Sequence, residues 1–158
     1  MRAVVLTVSD RVSRGEAEDR SGPAAAAALS ALGFDVGEVR VVPDGVETVR
    51  EALAGFVADD VALAVTTGGT GFGPRDLTPE ATAGLVERPA PGLAEAMRAA
   101  TFGENPHGML SRAIAGIAGR TLIVNLPGSV GGVEESLAVI GPALPHAVSL
   151  LREGPTDH

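Results

Sequence analysis

The order of apolar and polar positions along the chain predicts alternating strands and helices. Continuous apolar runs at Ala3–Val8 and Val61–Thr66 are typical of strands that are buried on both faces of a sheet. Val36–Val42 alternates apolar and polar residues, which predicts a strand nearer the sheet edge. This order predicts an α/β fold with a mostly parallel sheet, helices on both of its faces and right-handed crossovers.

Proline, glycine and capping residues predict where the helices begin and end. An alanine-rich helix is expected to end at Gly33, and Thr78 is expected to cap another one, with Glu80 in its first turn. The predicted starts are Gly22-Pro23, Val46, Thr78-Pro79, Pro91-Gly92 and Val133, with the last helix interrupted at Pro142 and Pro145.

The last third of the chain also contains a predicted hairpin. Gly119-Arg120 separates Leu110–Ala118 from Thr121–Asn125, as a tight turn between two strands would. The chain contains no internal repeat or linker. We therefore expect one domain over residues 1–153 and a loose tail over Gly154–His158.

Composition excludes several kinds of chemistry. The chain has no cysteine, which excludes disulfides, thiolate metal sites and cysteine nucleophiles. Its twelve basic residues are all arginine, so a Schiff-base or P-loop lysine is excluded. A net charge of −8 argues against a nucleic-acid partner. No apolar run approaches the roughly 18 residues of a membrane span and no signal peptide is recognisable, so we expect a cytoplasmic protein.

Four loops that follow predicted strands are candidates for a binding site. They are rich in Gly, Pro, Ser, Thr or charge, and ligands of open α/β sheets bind beyond the carboxyl ends of the strands. We therefore predict a site for a phosphorylated small molecule, held by backbone amides, a few arginines or a divalent metal. The loops are Ser9–Ser21, Pro43–Gly45, Gly68–Thr78 and Leu126–Gly132.

The loop Gly68–Thr78 has the strongest signal, because its glycines permit positive φ and close approach to an anion. Asp76 within this loop either forms an Asx turn or binds a magnesium ion that substrate phosphates also coordinate. Asp44 offers a second carboxylate, although Asp44 with Glu47 also resembles a capping box. Arg112 either clamps a phosphate or pairs with a surface acid.

The two remaining loops offer weaker candidates. Ser129 and its neighbouring amides precede the final helix, where they either receive a phosphate or form a tight turn. The first loop is by default a solvated one, but Ser9, Asp10 and Ser21 are candidates for nucleotide contacts. The three histidines share no metal-ligand spacing, so we expect them to be structural or exposed.

Together these motifs resemble the molybdopterin adenylyltransferase family, which includes the G domains of gephyrin and its plant counterpart. The resemblance covers Val4 to Glu153 and rests on TVSDRVSRGEAEDRSGP, VVPDGVETV, TTGGTGFGPRDLTPEAT, PGLAEAMR, MLSRAIAGI and TLIVNLPGS, in that order. It implies a three-layer α/β sandwich, a homotrimer, and Mg²⁺-dependent transfer of AMP from ATP to molybdopterin with release of pyrophosphate.

The resemblance also implies roles for individual residues. Asp44 and Asp76 correspond to the family's functional aspartates, which we expect to position Mg²⁺, while Arg75 offsets developing charge. The expected substrate contacts are Ser9, Asp10, Gly68, Gly69, Thr70, Gly71, Arg75, Thr78, Ser111, Arg112, Asn125, Pro127, Gly128 and Ser129.

Two departures and two alternatives accompany this interpretation. Some relatives have a lysine after the Leu-Pro-Gly turn, where this chain has Ser129 and then Val130-Gly131-Gly132, so amides and hydroxyls are expected to hold the phosphate. The chain has no room for a molybdate-insertion domain, so we expect a separate protein to perform that step. The alternatives are a non-catalytic molybdopterin-binding or scaffold protein, and a nucleotide pyrophosphatase.

Overall fold

The computed structural model describes residues 1–153; the predicted tail lies outside the described residues. The strands are β1 (Arg2–Val8), β2 (Asp35–Val36), β3 (Arg40–Val42), β4 (Leu63–Thr67), β5 (Arg88–Pro89), β6 (Ala115–Ala118) and β7 (Thr121–Leu126). The helices are α1 (Asp10–Ser13), α2 (Ser21–Ala31), α3 (Val46–Ala58), α4 (Thr78–Ala83), α5 (Pro91–Ala99), α6 (Val130–Ile140) and α7 (Leu144–Glu153), with 3₁₀ turns at Pro106–Leu110 and Gly141–Ala143.

All seven strands belong to one mixed sheet. Its order is β2-β1-β4-β7-β6-β5, and β3 pairs with β1 beside β2. The pairings among β1, β2, β3, β4 and β7 are parallel, whereas β6 runs antiparallel to both β5 and β7. The predicted α/β class, with a mostly parallel sheet and a small antiparallel hairpin, is confirmed.

Helices cover both faces of the sheet, which explains the continuous apolar run in β1. Ala3 and Val5 pack on one face beneath α2, α5, α6 and α7. Val4 and Leu6 pack on the other face with α3 and α4. Full burial of one such aliphatic side chain contributes roughly 1.5–3 kcal/mol. No helix within residues 1–153 is both long and apolar enough to cross a membrane.

The predicted edge strand over 36–42 is in fact two short strands. Ala3 pairs with Val36 and Leu6 pairs with Arg40, so this segment uses one more residue than β1 between the two pairings. The extra residue interrupts the ladder, as in a β-bulge. The apolar positions move from 36 to 39 and 41 across Gly37 and Glu38, so the alternation shifts by one residue at the interruption, a signal that the prediction of one strand overlooked.

Three more predicted boundaries differ from the structure. The last helical segment begins at Val130 and not at Val133. Thr78 does not cap α4, because its hydroxyl donates to the carbonyl oxygen of Gly68 at 3.0 Å. The predicted strand over 110–118 is limited to β6. The hairpin turn at Gly119 is confirmed, with a φ of 57°, and the prolines do divide the last helical segment in two.

Candidate functional site

The loops that follow β1, β4 and β7 meet at the carboxyl edge of the sheet. The N–H of Gly68 donates to the carbonyl oxygen of Leu126 at 3.2 Å. A Cβ on Gly68, whose φ is 92°, would lie 2.4 Å from the carbonyl oxygen of Val8, and a Cβ on Gly128 would lie 3.2 Å from the Cα of Gly68. Only glycine lets three backbone segments approach this closely.

The loop after β4, Gly68–Thr78, is held in one shape by its own hydrogen bonds. Gly69 has a φ of 66°, and a Cβ there would lie 2.2 Å from the hydroxyl oxygen of Thr78. Thr78 donates through its hydroxyl to Gly68 and through its N–H to the carbonyl oxygen of Gly69 at 3.1 Å. Thr78 is fully buried, so its side chain positions the loop from behind.

Asp76 turns its carboxylate back onto this loop. Its Oδ2 accepts a hydrogen bond from the N–H of Gly73 at 2.9 Å, and a Cβ on Gly71 would lie 2.9 Å from the same oxygen. Within residues 1–153, the other oxygen, Oδ1, accepts no hydrogen bond. Asp76 therefore makes a local turn and also keeps an oxygen available to a ligand.

Asp44 approaches the same loop from the end of β3. The capping-box interpretation is wrong, because Gly45 occupies the N-cap position of α3 and no side chain caps that helix. Instead, Asp44 Oδ2 accepts from the N–H of Asp10 at 2.8 Å, and its own N–H donates to Asp10 Oδ1 at 3.2 Å. Its Oδ1 would lie 3.2 Å from a Cβ on Gly69.

The carboxylates at this edge carry more negative charge than the arginine beside them neutralises. Arg75 Nε donates to Asp10 Oδ2 at 2.6 Å, and its Nη2 donates to the carbonyl oxygen of Asp44 at 2.7 Å. The hydrogen bond from Arg75 lowers the pKa of Asp10. Burial raises the pKa of Asp44, and the charges of Asp10 and Asp76 raise it further, against the opposing hydrogen bond from the Asp10 N–H.

Arg112 holds the glycine loop in place and lines neither cleft. Its Nε donates to the carbonyl oxygen of Gly71 at 2.8 Å, and its backbone N–H donates to that of Thr70 at 2.9 Å. The other guanidinium nitrogens contact the carbonyl oxygen of Asp76 and the carboxylate of Glu80. The structure shows the pairing of Arg112 with an acid, and its contact with a phosphate stays a prediction.

Asn125 is likewise part of the framework. It is fully buried, and its amide nitrogen donates to the hydroxyl oxygens of Thr66 at 3.1 Å and Thr82 at 2.9 Å. Its Oδ1 accepts from the N–H of Ile114 at 3.2 Å. Nearby, Ser129 caps α6 by accepting from the N–H of Gly132 at 3.1 Å.

Two adjoining clefts open at this edge and share Gly68, Gly128 and Ser129. Their volumes are about 1040 and 360 Å³. The predicted residues that line the larger cleft are Gly68, Gly69, Thr70, Gly71, Asp76, Ser111, Pro127, Gly128 and Ser129. Ser9 lines the smaller one together with Ser21. Asp10, Asp44, Arg75, Thr78, Arg112 and Asn125 line neither cleft.

Sequence reasoning missed two features of these clefts. In the smaller one, Asp19 accepts from the hydroxyl of Thr7 at 2.7 Å, and the hydroxyls of Ser21 and Thr67 lie 2.9 Å apart. In the larger one, Arg98 of α5 forms part of the wall. A signal for Arg98 existed, because it stands at helical spacing from buried Ala94 and so falls near the buried face of α5.

The carboxylates fit a magnesium ion only if other ligands complete its coordination. Within residues 1–153, no group of three or more Asp, Glu or His side chains could hold a metal ion. Asp44 and Asp76 each retain one oxygen without a hydrogen bond from the described residues. Because Mg²⁺ is commonly held by one or two carboxylates, with substrate phosphates and water as further ligands, this pair is compatible with it.

The fold and the clefts together define an α/β protein with clefts lined by glycine-rich loops at the carboxyl edge of its sheet. Residues 4–146 match the family described as "Probable molybdopterin binding domain". The chain belongs to this molybdenum cofactor biosynthesis family.

Relatives and solved structures agree with this assignment. The chain is 44% identical to gephyrin of Dictyostelium discoideum over 96% of its own length, but it spans only 22% of that protein. It is 39% identical to molybdopterin adenylyltransferase of Helicobacter pylori strain J99, with 93% of this chain and 85% of that protein covered. The crystal structure of the molybdopterin biosynthesis enzyme MoaB from Thermus thermophilus matches with a TM-score of 0.91, 44% identity and 99% of each chain covered.

Proposed function

We propose that the protein is a molybdopterin adenylyltransferase that transfers AMP from ATP to the terminal phosphate of molybdopterin. A phosphate oxygen of molybdopterin forms a bond to the α-phosphorus of ATP. The bond from that phosphorus to the oxygen bridging to the β-phosphate breaks, and pyrophosphate leaves. The attacking group belongs to the substrate, so this chain needs no nucleophile of its own.

The observation that supports the proposal is the approach of Asp44 and Asp76 to one glycine loop. A Cβ on Gly69 would lie 3.2 Å from Asp44 Oδ1, and a Cβ on Gly71 would lie 2.9 Å from Asp76 Oδ2. Burial raises the pKa of Asp44, and the charges of Asp10 and Asp76 raise it further, so a cation beside Asp44 and Asp76 would be stabilising. Bound Mg²⁺ would supply charge neutralisation on the triphosphate.

The chain's other residues act by positioning. Thr78, Arg112 and Asn125 hold the loops, and the amides of Gly68–Gly71 are available to phosphate oxygens. Because such transfers depend mainly on positioning and charge neutralisation, a framework of buried hydrogen bonds behind a glycine-lined cleft suits the reaction.

The test is pyrophosphate release from ATP and Mg²⁺, measured with and without molybdopterin. The wild type is expected to require molybdopterin and to form adenylylated product. Asp76→Asn should lose about three orders of magnitude in rate, equivalent to roughly 4 kcal/mol of barrier. Asp59→Asn, at an exposed carboxylate that lies 3.9 Å from the guanidinium group of Arg2, is the control and should keep full activity.

Two outcomes would contradict the proposal. Tight binding of molybdopterin without product would favour a binding or scaffold protein. Cleavage of the nucleotide without any pterin would favour a pyrophosphatase. Unchanged turnover in Asp76→Asn would contradict the role of that carboxylate, even if the transfer itself occurs.

We also propose that the protein assembles as a homotrimer, as the resemblance implies. Exposed apolar side chains offer surface for contacts between copies: Phe72, Phe102, Met109, Leu110 and Val139. Light scattering after size-exclusion chromatography should give three times the 15.8 kDa chain mass, and a monomeric mass at micromolar concentration would contradict the trimer.

A further inference from the structure

The two arginines that the sequence favoured for phosphate binding are already engaged. Arg75 donates to Asp10 and to the backbone of Asp44. Arg112 donates to Glu80 and to the carbonyl oxygens of Gly71 and Asp76 in the glycine loop. Neither side chain lines the larger cleft. Any cationic side chain that binds a phosphorylated ligand in that cleft must therefore be a different residue.

Among the described residues, Arg98 is the arginine that lines the larger cleft. Its Nη1 donates to the carbonyl oxygens of Ser111 at 3.3 Å and Ala113 at 2.8 Å. Within residues 1–153, its Nε and Nη2 have no hydrogen-bond or ion-pair partner. Half of the guanidinium group is thus fixed to the protein, and the other half keeps three N–H donors for a ligand.

The larger cleft is lined mainly by acidic charges, and Arg98 is the arginine that can offset them. The acidic residues that line it are Asp76, Glu104 and Glu135, in a chain with a net charge of −8. Glycine amides supply only partial positive charge. Without Arg98, a phosphate entering this cleft would meet carboxylates and dipoles but, in the described part of the chain, no permanently cationic side chain.

We propose that Arg98 binds a phosphate group of the substrate in the larger cleft, through its Nε and Nη2. The inference rests on the proposed function, and it assigns a substrate-binding role to a residue outside the glycine loops. The fixed Nη1 sets the plane of the guanidinium group, so the remaining donors are preorganised for a phosphate fork. Two sources supply this chemistry, the phosphate monoester of molybdopterin and the triphosphate of ATP.

The experiment is calorimetric titration of the wild type and Arg98→Gln with molybdopterin, dephosphorylated molybdopterin, ATP and adenosine. Loss of a charged hydrogen bond should weaken binding of the phosphorylated ligand by about 10-fold or more, and binding of its phosphate-free counterpart should not change. Selective loss for molybdopterin identifies the pterin phosphate, and selective loss for ATP identifies the nucleotide. Arg88→Gln, at an exposed arginine of β5 outside both clefts, is the control and should match the wild type.

A purely structural role would give a different pattern. If Arg98 only ties α5 to the segment around Ser111, Arg98→Gln should weaken phosphorylated and phosphate-free ligands equally and lower the melting temperature. That result, or no loss for any ligand, would overturn the inference. Arg98→Lys keeps the charge, should retain part of the phosphate preference, and carries the test if the Gln variant does not fold.

The titrations, combined with the pyrophosphate assay, separate this inference from the proposed function. A wild type that binds molybdopterin but releases no pyrophosphate contradicts adenylyl transfer, and a phosphate-selective loss in Arg98→Gln still supports the arginine's role. Turnover in the wild type with no selective loss contradicts the role of Arg98 alone. A wild type that binds none of the four ligands overturns both.

Discussion

The two ends of the parallel sheet each carry a cluster of aspartates and arginines, with opposite balances of charge. At the amino end, the two carboxylate oxygens of Asp60 accept hydrogen bonds from Nη1 and Nη2 of Arg152. Nη1 of Arg120 lies 3.6 Å from Asp60 Oδ2. At the carboxyl end, the carboxylates of Asp10, Asp44 and Asp76 have one arginine partner within residues 1–153, Arg75. One cluster has surplus positive charge and the other has surplus negative charge.

The pKa shifts follow this difference. The hydrogen bond from Arg152 lowers the pKa of Asp60, whereas burial and two neighbouring carboxylates raise the pKa of Asp44. A carboxylate that is paired with arginines contributes to the structure, while a cluster of carboxylates short of positive charge favours an incoming cation. The comparison therefore separates a structural ion-pair cluster from the proposed ligand site, which has the same residue types.

The largest expected effect is on catalysis at the carboxyl end. Asp44→Asn should lower the rate of pyrophosphate release by about three orders of magnitude, or roughly 4 kcal/mol of barrier, because it removes a carboxylate from the proposed cation site. Its thermal stability should equal or exceed that of the wild type, since a disfavoured charge is lost. Asp60→Asn is the matched variant and should keep its rate; a slow Asp60→Asn would break the comparison.

A smaller effect is expected on the free energy of unfolding, which alanine substitutions should lower more at a glycine of the carboxyl end than at one of the amino end. Gly69→Ala should cost about 3 kcal/mol, because it combines a positive φ with a Cβ 2.2 Å from Thr78 Oγ1. Gly119→Ala, in the hairpin, should cost only about 1 kcal/mol, because its Cβ meets nothing closer than Val57 Cγ1 at 3.8 Å. If urea unfolding shows equal losses of unfolding free energy for the two variants, backbone strain alone sets the cost at both positions and the close contact with Thr78 adds nothing.

The smallest effect is the pH dependence of stability, which should have opposite signs at the two ends. The lowered pKa of Asp60 stabilises the fold above its unfolded pKa, near 3.9, and this contribution is lost as pH falls through the lowered folded value. The raised pKa of Asp44 instead disfavours the fold at neutral pH, and the penalty disappears as pH falls through the raised value. Unfolding of Asp60→Asn and Asp44→Asn from pH 3 to 7 should show differences from the wild type of opposite sign at pH 7, both shrinking in acid.

The sequence predicted the elements whose signal is local. The apolar runs of β1 and β4 are visible because both faces of these strands are buried, and the turn at Gly119 is visible because its residues are turn formers. The break near Pro142 follows from the missing N–H of proline. The positions of the glycine loops at the carboxyl edge follow from strand order.

The sequence could not reveal the hydrogen-bond or ion-pair partner of each polar side chain. Asp44 has the spacing of a helix cap but bonds instead to Asp10, 34 residues away. Arg112 bonds to Glu80, 32 residues away, so its use as a brace depends on tertiary contacts. The spacing of Arg98 from buried Ala94 places it near the buried face of α5, but its hydrogen bonds to Ser111 and Ala113 depend on tertiary contacts that the sequence does not show.

The strand order has a consequence for how the protein folds. Thr7 and Thr67, which face each other across β1 and β4, are 60 residues apart in the chain, and Thr66 and Asn125, across β4 and β7, are 59 apart. Such distant pairings slow folding, because long loops must close before these contacts form. A nascent chain that ends before β7 lacks the strand that holds Gly68 in place, so the binding edge is completed late in synthesis.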